Sequence, residues 1–191
     1  MNHTLPKSTS FDAFEELDAY LQKMPEYSEW GKNNAKSPQN LWEEIEAGES
    51  TITPDGKRVV RVVVCEIKRS AAEQKILMEL EQTLTDGRKR VRPQRPMAEK
   101  IIGSDTALET LERGLLEELS LKPGDYTILT TQPTCSIKTM LSGSYPGMMS
   151  QYERFIFGVI SEKLPIEDFT IKEPDGIRTA SWGWRTPEPR E

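Results

Sequence analysis

The chain has 191 residues, a formal net charge of −6 at pH 7, one histidine and two cysteines. Because His3 is the only histidine, Ser-His and Cys-His catalysis and zinc sites that need imidazole are excluded. The negative charge argues against nucleic acid as the main partner. The scarcity of cysteine and the lack of any apolar run near 18 residues predict a soluble, cytoplasmic protein that does not enter a membrane.

The start of the chain is predicted to be a helical extension of the main domain. Residues 1–10 have the composition of a disordered lead. Apolar residues at helical spacing predict an amphipathic helix over residues 11–24. Ser37-Pro38 is a typical helix start and predicts a second helix. We expect the extension, residues 11–49, to pack against the rest of the chain, with a substrate lid and a homodimer contact as alternatives.

Residues 50–191 are predicted to form the main domain, which begins with β-structure. The run Val59–Cys65 is too rich in β-branched residues for a helix and predicts a long strand. Turn residues predict two hairpins, one around Asp55-Gly56 and one around Asp86-Gly87. The predicted strands are 51–54, 57–68, 75–83, 88–92, 125–131, 136–140, 151–160 and 177–184.

A helix is predicted to begin at Ala107. Thr106 and Glu109 have the spacing of a capping box, which satisfies the free amides of a helix's first turn. Leucines recur at helical spacing and give the helix one buried stripe. Glu118 falls at the rim of that stripe and Glu117 lies about 100° further round. Two neighbouring carboxylates therefore point away from the core, with a solvated helix face as the alternative.

This helix carries a resemblance to a known family. Residues Arg113 to Leu121, RGLLEELSL, resemble the second half of the Nudix box, whose pattern is Arg-Glu-apolar-x-Glu-Glu-x-Gly-apolar. Asp105 stands eight residues before Arg113, where the family has a Glu that pairs with that Arg. Where the family opens with Gly-Gly-Lys, this chain has Ala98, Glu99 and Lys100, so the lysine matches and the glycine pair does not. The resemblance implies an α/β fold, a Nudix-like α/β/α sandwich with a mixed β-sheet, in which residues 97–121 form the box.

The resemblance also implies a hydrolase that cleaves a diphosphate linkage with a divalent cation. Glu117 and Glu118 would bind Mg²⁺ or Mn²⁺, which activates water, and Asp105 would orient Arg113. The family has a third carboxylate directly after the Arg, where this chain has Gly114. A glycine within a helix costs about 1 kcal/mol relative to alanine. It therefore indicates that a ligand or a neighbouring strand approaches the helix closely.

A row of cations precedes the helix. Arg88, Arg90 and Arg92 alternate along a predicted strand, so their side chains project from one face. Lys100 follows on the way into the helix. Such cations next to a carboxylate pair suit a phosphorylated small-molecule ligand. An exposed edge strand protected by charge is the alternative.

Aromatic residues late in the chain provide further candidates. Tyr145 lies in a loop, residues 143–150, that is rich in turn-forming residues, and Tyr152 follows it. Both tyrosines are candidates for stacking on a base or lining an apolar pocket, unless the loop simply folds over the core. Trp182 and Trp184 share one strand face and are expected to cover the core.

Three functions fit these residues. The first is a Nudix-type hydrolase that acts on a nucleoside diphosphate derivative or another organic diphosphate. The second is a Nudix-like module that binds a ligand or a partner without hydrolysis, which Gly114 favours. The third is metal-independent acid-base chemistry such as isomerisation, for which a buried carboxylate would suffice.

Overall fold

The computed structural model describes residues 8–90, 94–172, 176 and 178–187, apart from the side chain of Arg90. Most of the predicted disordered lead lies outside the described residues, as do Arg92 and Ile177.

The helices of the N-terminal extension form where the sequence predicts them. Helix α1 spans Phe14–Leu21 and helix α2 spans Pro38–Glu46. Ser37 and Asn40 form a capping box at the start of α2, because each side chain bonds the other's backbone amide. A 3-10 helix at Pro25–Glu29, which was not predicted, connects them. No helix among the described residues is long and apolar enough to cross a membrane.

Helix α3 spans Ala107–Leu119, as predicted. Thr106 and Glu109 form the expected capping box at its start. Its last turn ends at Ser120, whose φ of 56° lies in the left-handed region that favours glycine. The described part of the chain contains no helix after α3.

The strands form two sheets. They are β1 (Thr51–Ile52), β2 (Arg58–Lys68), β3 (Ile76–Leu84), β4 (Lys89–Arg90), β5 (Met97–Lys100), β6 (Thr127–Ile128), β7 (Thr134–Leu141), β8 (Met149–Ile160), β9 (Phe169–Lys172) and β10 (Arg178–Arg185). The six-stranded sheet has the order β1-β2-β8-β6, with β5 pairing with β2 and β7 pairing with β8. The four-stranded sheet has the order β4-β3-β10-β9. The predicted mixed α/β class is therefore confirmed.

Two strands were not predicted, namely β5 and β9. Both have only four residues, which is too short to show a clear alternation of apolar and polar side chains. The two predicted hairpins are present, with β1 pairing antiparallel with β2 and β3 with β4.

Strand β10 covers part of the core. It pairs antiparallel with β3, and Trp184 lies opposite Leu77. Trp182 is fully buried and Trp184 is 7% exposed, so the predicted packing role of both rings is confirmed. The indole N–H of Trp184 donates a hydrogen bond to the Pro165 carbonyl at 2.8 Å.

The chain divides into two compact units, each built from separated segments. The first unit comprises Met1–Arg61, Lys100–Ser104 and Ser136–Arg154. The second unit comprises Val62–Glu99, Asp105–Cys135 and Phe155–Glu191.

The N-terminal helices supply three of the seven buried residues of a hydrophobic cluster in the first unit. A buried cluster joins their apolar side chains to residues from β1 and from the loop before β8. Its members are Leu17, Leu21, Trp30, Leu41, Ile52, Tyr145 and Met148. The prediction that the extension packs against the rest of the chain is therefore confirmed.

We expect Leu41→Ala to lower the free energy of unfolding by about 2–5 kcal/mol, because it leaves a cavity in this cluster. Leu41 is fully buried, whereas Leu116 on α3 is 47% exposed. The matched control Leu116→Ala should cost under about 1 kcal/mol. Urea denaturation of both variants measures the difference. If the two variants lost the same free energy of unfolding, α2 would not be an integral part of the core.

Candidate functional site

The box-like residues of the second unit include the ion pair that the resemblance implies. Arg113 Nη1 donates a hydrogen bond to the Asp105 carboxylate. The same guanidinium has its Nη2 atom 3.7 Å from the Glu99 carboxylate on β5. Arg113 thus links the start of its own helix to a neighbouring strand.

The two predicted metal ligands differ in their surroundings. Glu117 is exposed and Glu118 is half-buried. Burial raises the pKa of the Cys65 thiol, and the nearby carboxylates of Glu66 and Glu118 raise it further. Within the described part of the chain, no group of three or more His, Cys, Asp or Glu side chains is arranged to hold a metal ion. The chain has two of the three carboxylates in the family's metal-binding set, because Gly114 stands in place of the third.

Gly114 is buried against strand β5. A Cβ placed on Gly114 would lie 3.0 Å from the Met97 Cε atom and 3.3 Å from the Glu99 Cβ atom. These distances are shorter than ordinary packing contacts. The close approach that the glycine predicts is thus made by a strand, and a side chain at position 114 would crowd Met97 and Glu99.

We expect Gly114→Ala not to raise the free energy of unfolding. An alanine would normally gain about 1 kcal/mol in a helix, but here its methyl group would crowd Met97. In a Met97→Leu background, which removes the Cε atom, the same substitution should become stabilising. Chemical denaturation of the double-mutant cycle measures this coupling. If Gly114→Ala alone raised the free energy of unfolding by about 1 kcal/mol, β5 would have to move away from the new methyl group without an energetic cost.

Of the predicted phosphate-binding cations, only Arg88 and Lys100 have described side chains, and each has a carboxylate partner. Arg88 has a side chain that is 75% exposed and pairs with Asp86 at 2.7 Å. The Arg90 side chain and all of Arg92 lie outside the described residues. Lys100 belongs to the first unit, where it pairs with two carboxylates.

A buried charge cluster lies in the first unit. Its centre is Glu44 on α2, which is 5% exposed. The Nε atom of Arg58, itself 4% exposed, donates to Glu44 at 3.1 Å. Lys36 Nζ approaches the other carboxylate oxygen to 2.6 Å, and Lys100 Nζ approaches it to 3.2 Å. Lys100 also contacts Glu49 at 2.5 Å.

The cluster keeps Glu44 ionised. Burial alone would raise the pKa of this carboxyl, but Arg58, Lys36 and Lys100 outweigh burial and hold the pKa at about 2. The Arg58 guanidinium also lies 5.2 Å from the centre of the Tyr145 ring, a cation–π contact.

The predicted tyrosines occupy different environments. Tyr145 is fully buried, and its ring centre lies 5.0 Å from that of Trp30. Its loop therefore folds over the core of the first unit, which was one of the two alternatives. Burial raises the pKa of the Tyr145 hydroxyl. Tyr152 on β8 is half-buried.

Sequence reasoning missed Glu44 and Arg58. The sequence does contain an indication of Glu44, because this charged residue follows Leu41 by three positions and so lies on the apolar face of α2. Arg58 likewise begins the β-branched strand β2. Nothing in the spacing indicates that the two charges meet, since the contact depends on the tertiary fold.

Stability should depend on pH through Glu44. Its folded-state pKa of about 2 lies below the ordinary value of 4.5, so its stabilisation is complete above pH 4.5 and is lost as the pH falls towards 2. At pH 7, Glu44→Gln should lower the free energy of unfolding by about 3 kcal/mol, because it leaves Arg58 buried without its anion.

Denaturation of the wild type and Glu44→Gln between pH 7 and pH 2 tests this expectation. The difference between them should narrow below pH 4.5. The control Glu46→Gln, at an exposed position on the same helix, should change stability by under about 0.5 kcal/mol. A Glu44→Gln deficit that stays constant down to pH 2 would contradict the assigned charge state.

Comparison with protein-family models found no match, and a search of curated proteins found none either. The resemblance to the Nudix box therefore stays a prediction from the residues.

Proposed function

We propose that this chain is a Nudix-like module that binds a small anionic molecule and does not hydrolyse it through a box-type metal centre. The observation that carries the proposal is the packing of Gly114 against Met97 and Glu99. The position that supplies the third carboxylate in the family has no side chain here, and β5 fills the space beside it. The remaining pair, Glu117 and Glu118, offers a divalent cation less negative charge than the family's three carboxylates do.

Two features support the Nudix-like part of the proposal. Arg113 pairs with Asp105, as the family's box would have it. Ser120 keeps a left-handed backbone at the position of the closing glycine, although a residue other than glycine pays about 1–2 kcal/mol for that conformation. Both features concern the conformation of the box segment, and neither requires a metal.

The charges of the first unit support an anionic ligand. Three cations, Lys36, Arg58 and Lys100, contact the two carboxylates of its buried cluster, Glu44 and Glu49. A local excess of positive charge within a chain of net charge −6 favours a negatively charged ligand.

A diphosphate hydrolase is the competing function. It is favoured by the half-buried Glu118, which lies on the same helix as Arg113. Arg113 in turn pairs with Asp105, which precedes the helix. Acid-base chemistry at Glu44 is less favoured, because a carboxylate with a pKa of about 2 is a poor proton acceptor at neutral pH.

A Mn²⁺ and Mg²⁺ titration followed by NMR separates the two functions. We expect divalent binding weaker than about 1 mM, the weak end for oxygen-ligand sites. Turnover of nucleoside diphosphate derivatives and other organic diphosphates should not exceed the blank. Glu118→Gln should behave like the control Glu112→Gln, which removes an exposed carboxylate from the same helix.

Metal-dependent turnover that Glu118→Gln abolishes and Glu112→Gln retains would establish the hydrolase instead. A gain of turnover in Gly114→Glu with unchanged stability would show that the protein is a hydrolase short of one ligand. Either result would refute the proposed function.

A further inference from the structure

Strand β7 is a long strand at an open edge of its sheet. Among the described strands it pairs only with β8, so the backbone N–H and C=O groups on its other side face no described strand. Seven of its eight residues are exposed. Its exposed apolar side chains are Ile137 at 62%, Met140 at 46% and Leu141 at 64%. The edge is therefore open along its backbone and apolar in its side chains.

The other edges of the two sheets are short. The terminal strands β1, β4 and β6 have two residues each, and β9 has four. Short edge strands, charged side chains and prolines are common means by which proteins keep sheet edges from pairing with other chains. Strand β7 has eight residues, no proline and a single charged residue, Lys138. Among the described strands it is the long edge without this protection, and such an edge is suited to pairing with another chain.

The hairpin of β7 and β8 determines which residues of β7 can pair outward. The Ser142 N–H, directly after β7, donates to the Met148 carbonyl, directly before β8, at 2.8 Å. Backbone groups point to alternate sides along a strand, so those of the even-numbered residues of β7 point towards β8. Those of the odd-numbered residues, including Ile137 and Thr139, point towards the open edge and can bond an added strand.

A second copy of the chain is complementary to this edge. Two identical strands related by a twofold axis pair antiparallel. Because directly opposite side chains lie on one face of the sheet, the axis passes through a residue and not between two. An axis at Lys138 would place two lysines directly opposite, which is unfavourable. An axis at Ile137 places this apolar residue opposite its own counterpart and Lys138 opposite Ser136, so no like charges meet.

The size of the edge indicates weak association. The eight residues of β7 extend over roughly 27 Å at about 3.4 Å per residue, and packed sheets are about 10 Å thick. A strip of this size is well below the about 800 Å² that each partner contributes to a standard stable interface. Interfaces at the small end are typical of transient complexes, so we expect a dimer that dissociates on dilution.

We propose that β7 is a homodimer interface, in which the β7 strands of two copies pair antiparallel about a twofold axis at Ile137. The pairing joins the six-stranded sheets of the two copies into one continuous sheet. Ile137 and its counterpart shield each other from water at the axis. This interface goes beyond the proposed ligand-binding function and does not depend on it.

Sedimentation equilibrium of the full chain tests the association. We expect a monomer–dimer equilibrium between about 10 µM and about 1 mM, as for a weak complex. Ile137→Lys should weaken dimerisation at least about tenfold, because it places two cations directly opposite at the axis. The control Ile166→Lys makes the same change outside β7, at a side chain that is 70% exposed. It should leave the dissociation constant within about twofold.

Disulfide crosslinking tests the register. Cys65 is buried, and Cys135→Ser removes the exposed native thiol. In that background Ile137→Cys should give a covalent dimer on mild oxidation, because the Cα atoms of directly opposite, hydrogen-bonded residues lie about 5.5 Å apart, which a disulfide can span. Lys138→Cys should crosslink at least about tenfold more slowly, since its counterpart lies two residues further along the partner strand.

A chain that stays monomeric at every concentration would overturn the proposal, as would a dimer that Ile137→Lys leaves intact. Equal weakening by Ile166→Lys would also contradict it, because added charge alone would then explain the effect. Faster crosslinking through Lys138→Cys than through Ile137→Cys would place the axis elsewhere and refute the proposed pairing.

Discussion

The first unit depends on the buried ion pair between Glu44 and Arg58. Removing two charges from water costs several kcal/mol per ion, so such a pair is tolerated only when nearly every polar atom has a partner. Lys36, Lys100 and the Ser50 hydroxyl complete the shell around the carboxylate. The pair therefore ties helix α2 to strand β2. It also positions the loop after α2, whose amides at residues 49 and 50 donate to the Glu44 carbonyl.

The elements that the sequence predicts correctly are those with local causes. Thr106 and Glu109 set the start of α3 whatever surrounds them, and the Val59–Cys65 run is a strand for intrinsic steric reasons. Features that arise only when distant segments meet were missed, such as β5, whose four residues show no clear period. Gly114 was an intermediate case, because its cost in a helix predicted a close neighbour but could not identify it as β5.

Two positions that differ from the Nudix box pattern also differ from each other in local structure. Ser120, at the position of the pattern's closing glycine, has a left-handed backbone. Gly114, at the position of a carboxylate in the pattern, lies close to the Met97 and Glu99 side chains of β5. The first position holds a conformation that favours glycine, at some cost in energy, whereas the second allows a strand to pack closely against α3.

The interleaving of segments in the first unit has a consequence for synthesis on the ribosome. Leu41 and its helical neighbours pack against Tyr145 and Met148, which lie about a hundred residues later in the chain. At a translation rate of about 10 residues per second, Tyr145 and Met148 are synthesised on the order of ten seconds after α1 and α2. The apolar faces of the two helices lack these packing partners until then. During this interval the nascent chain presents an amphipathic surface that chaperones can bind.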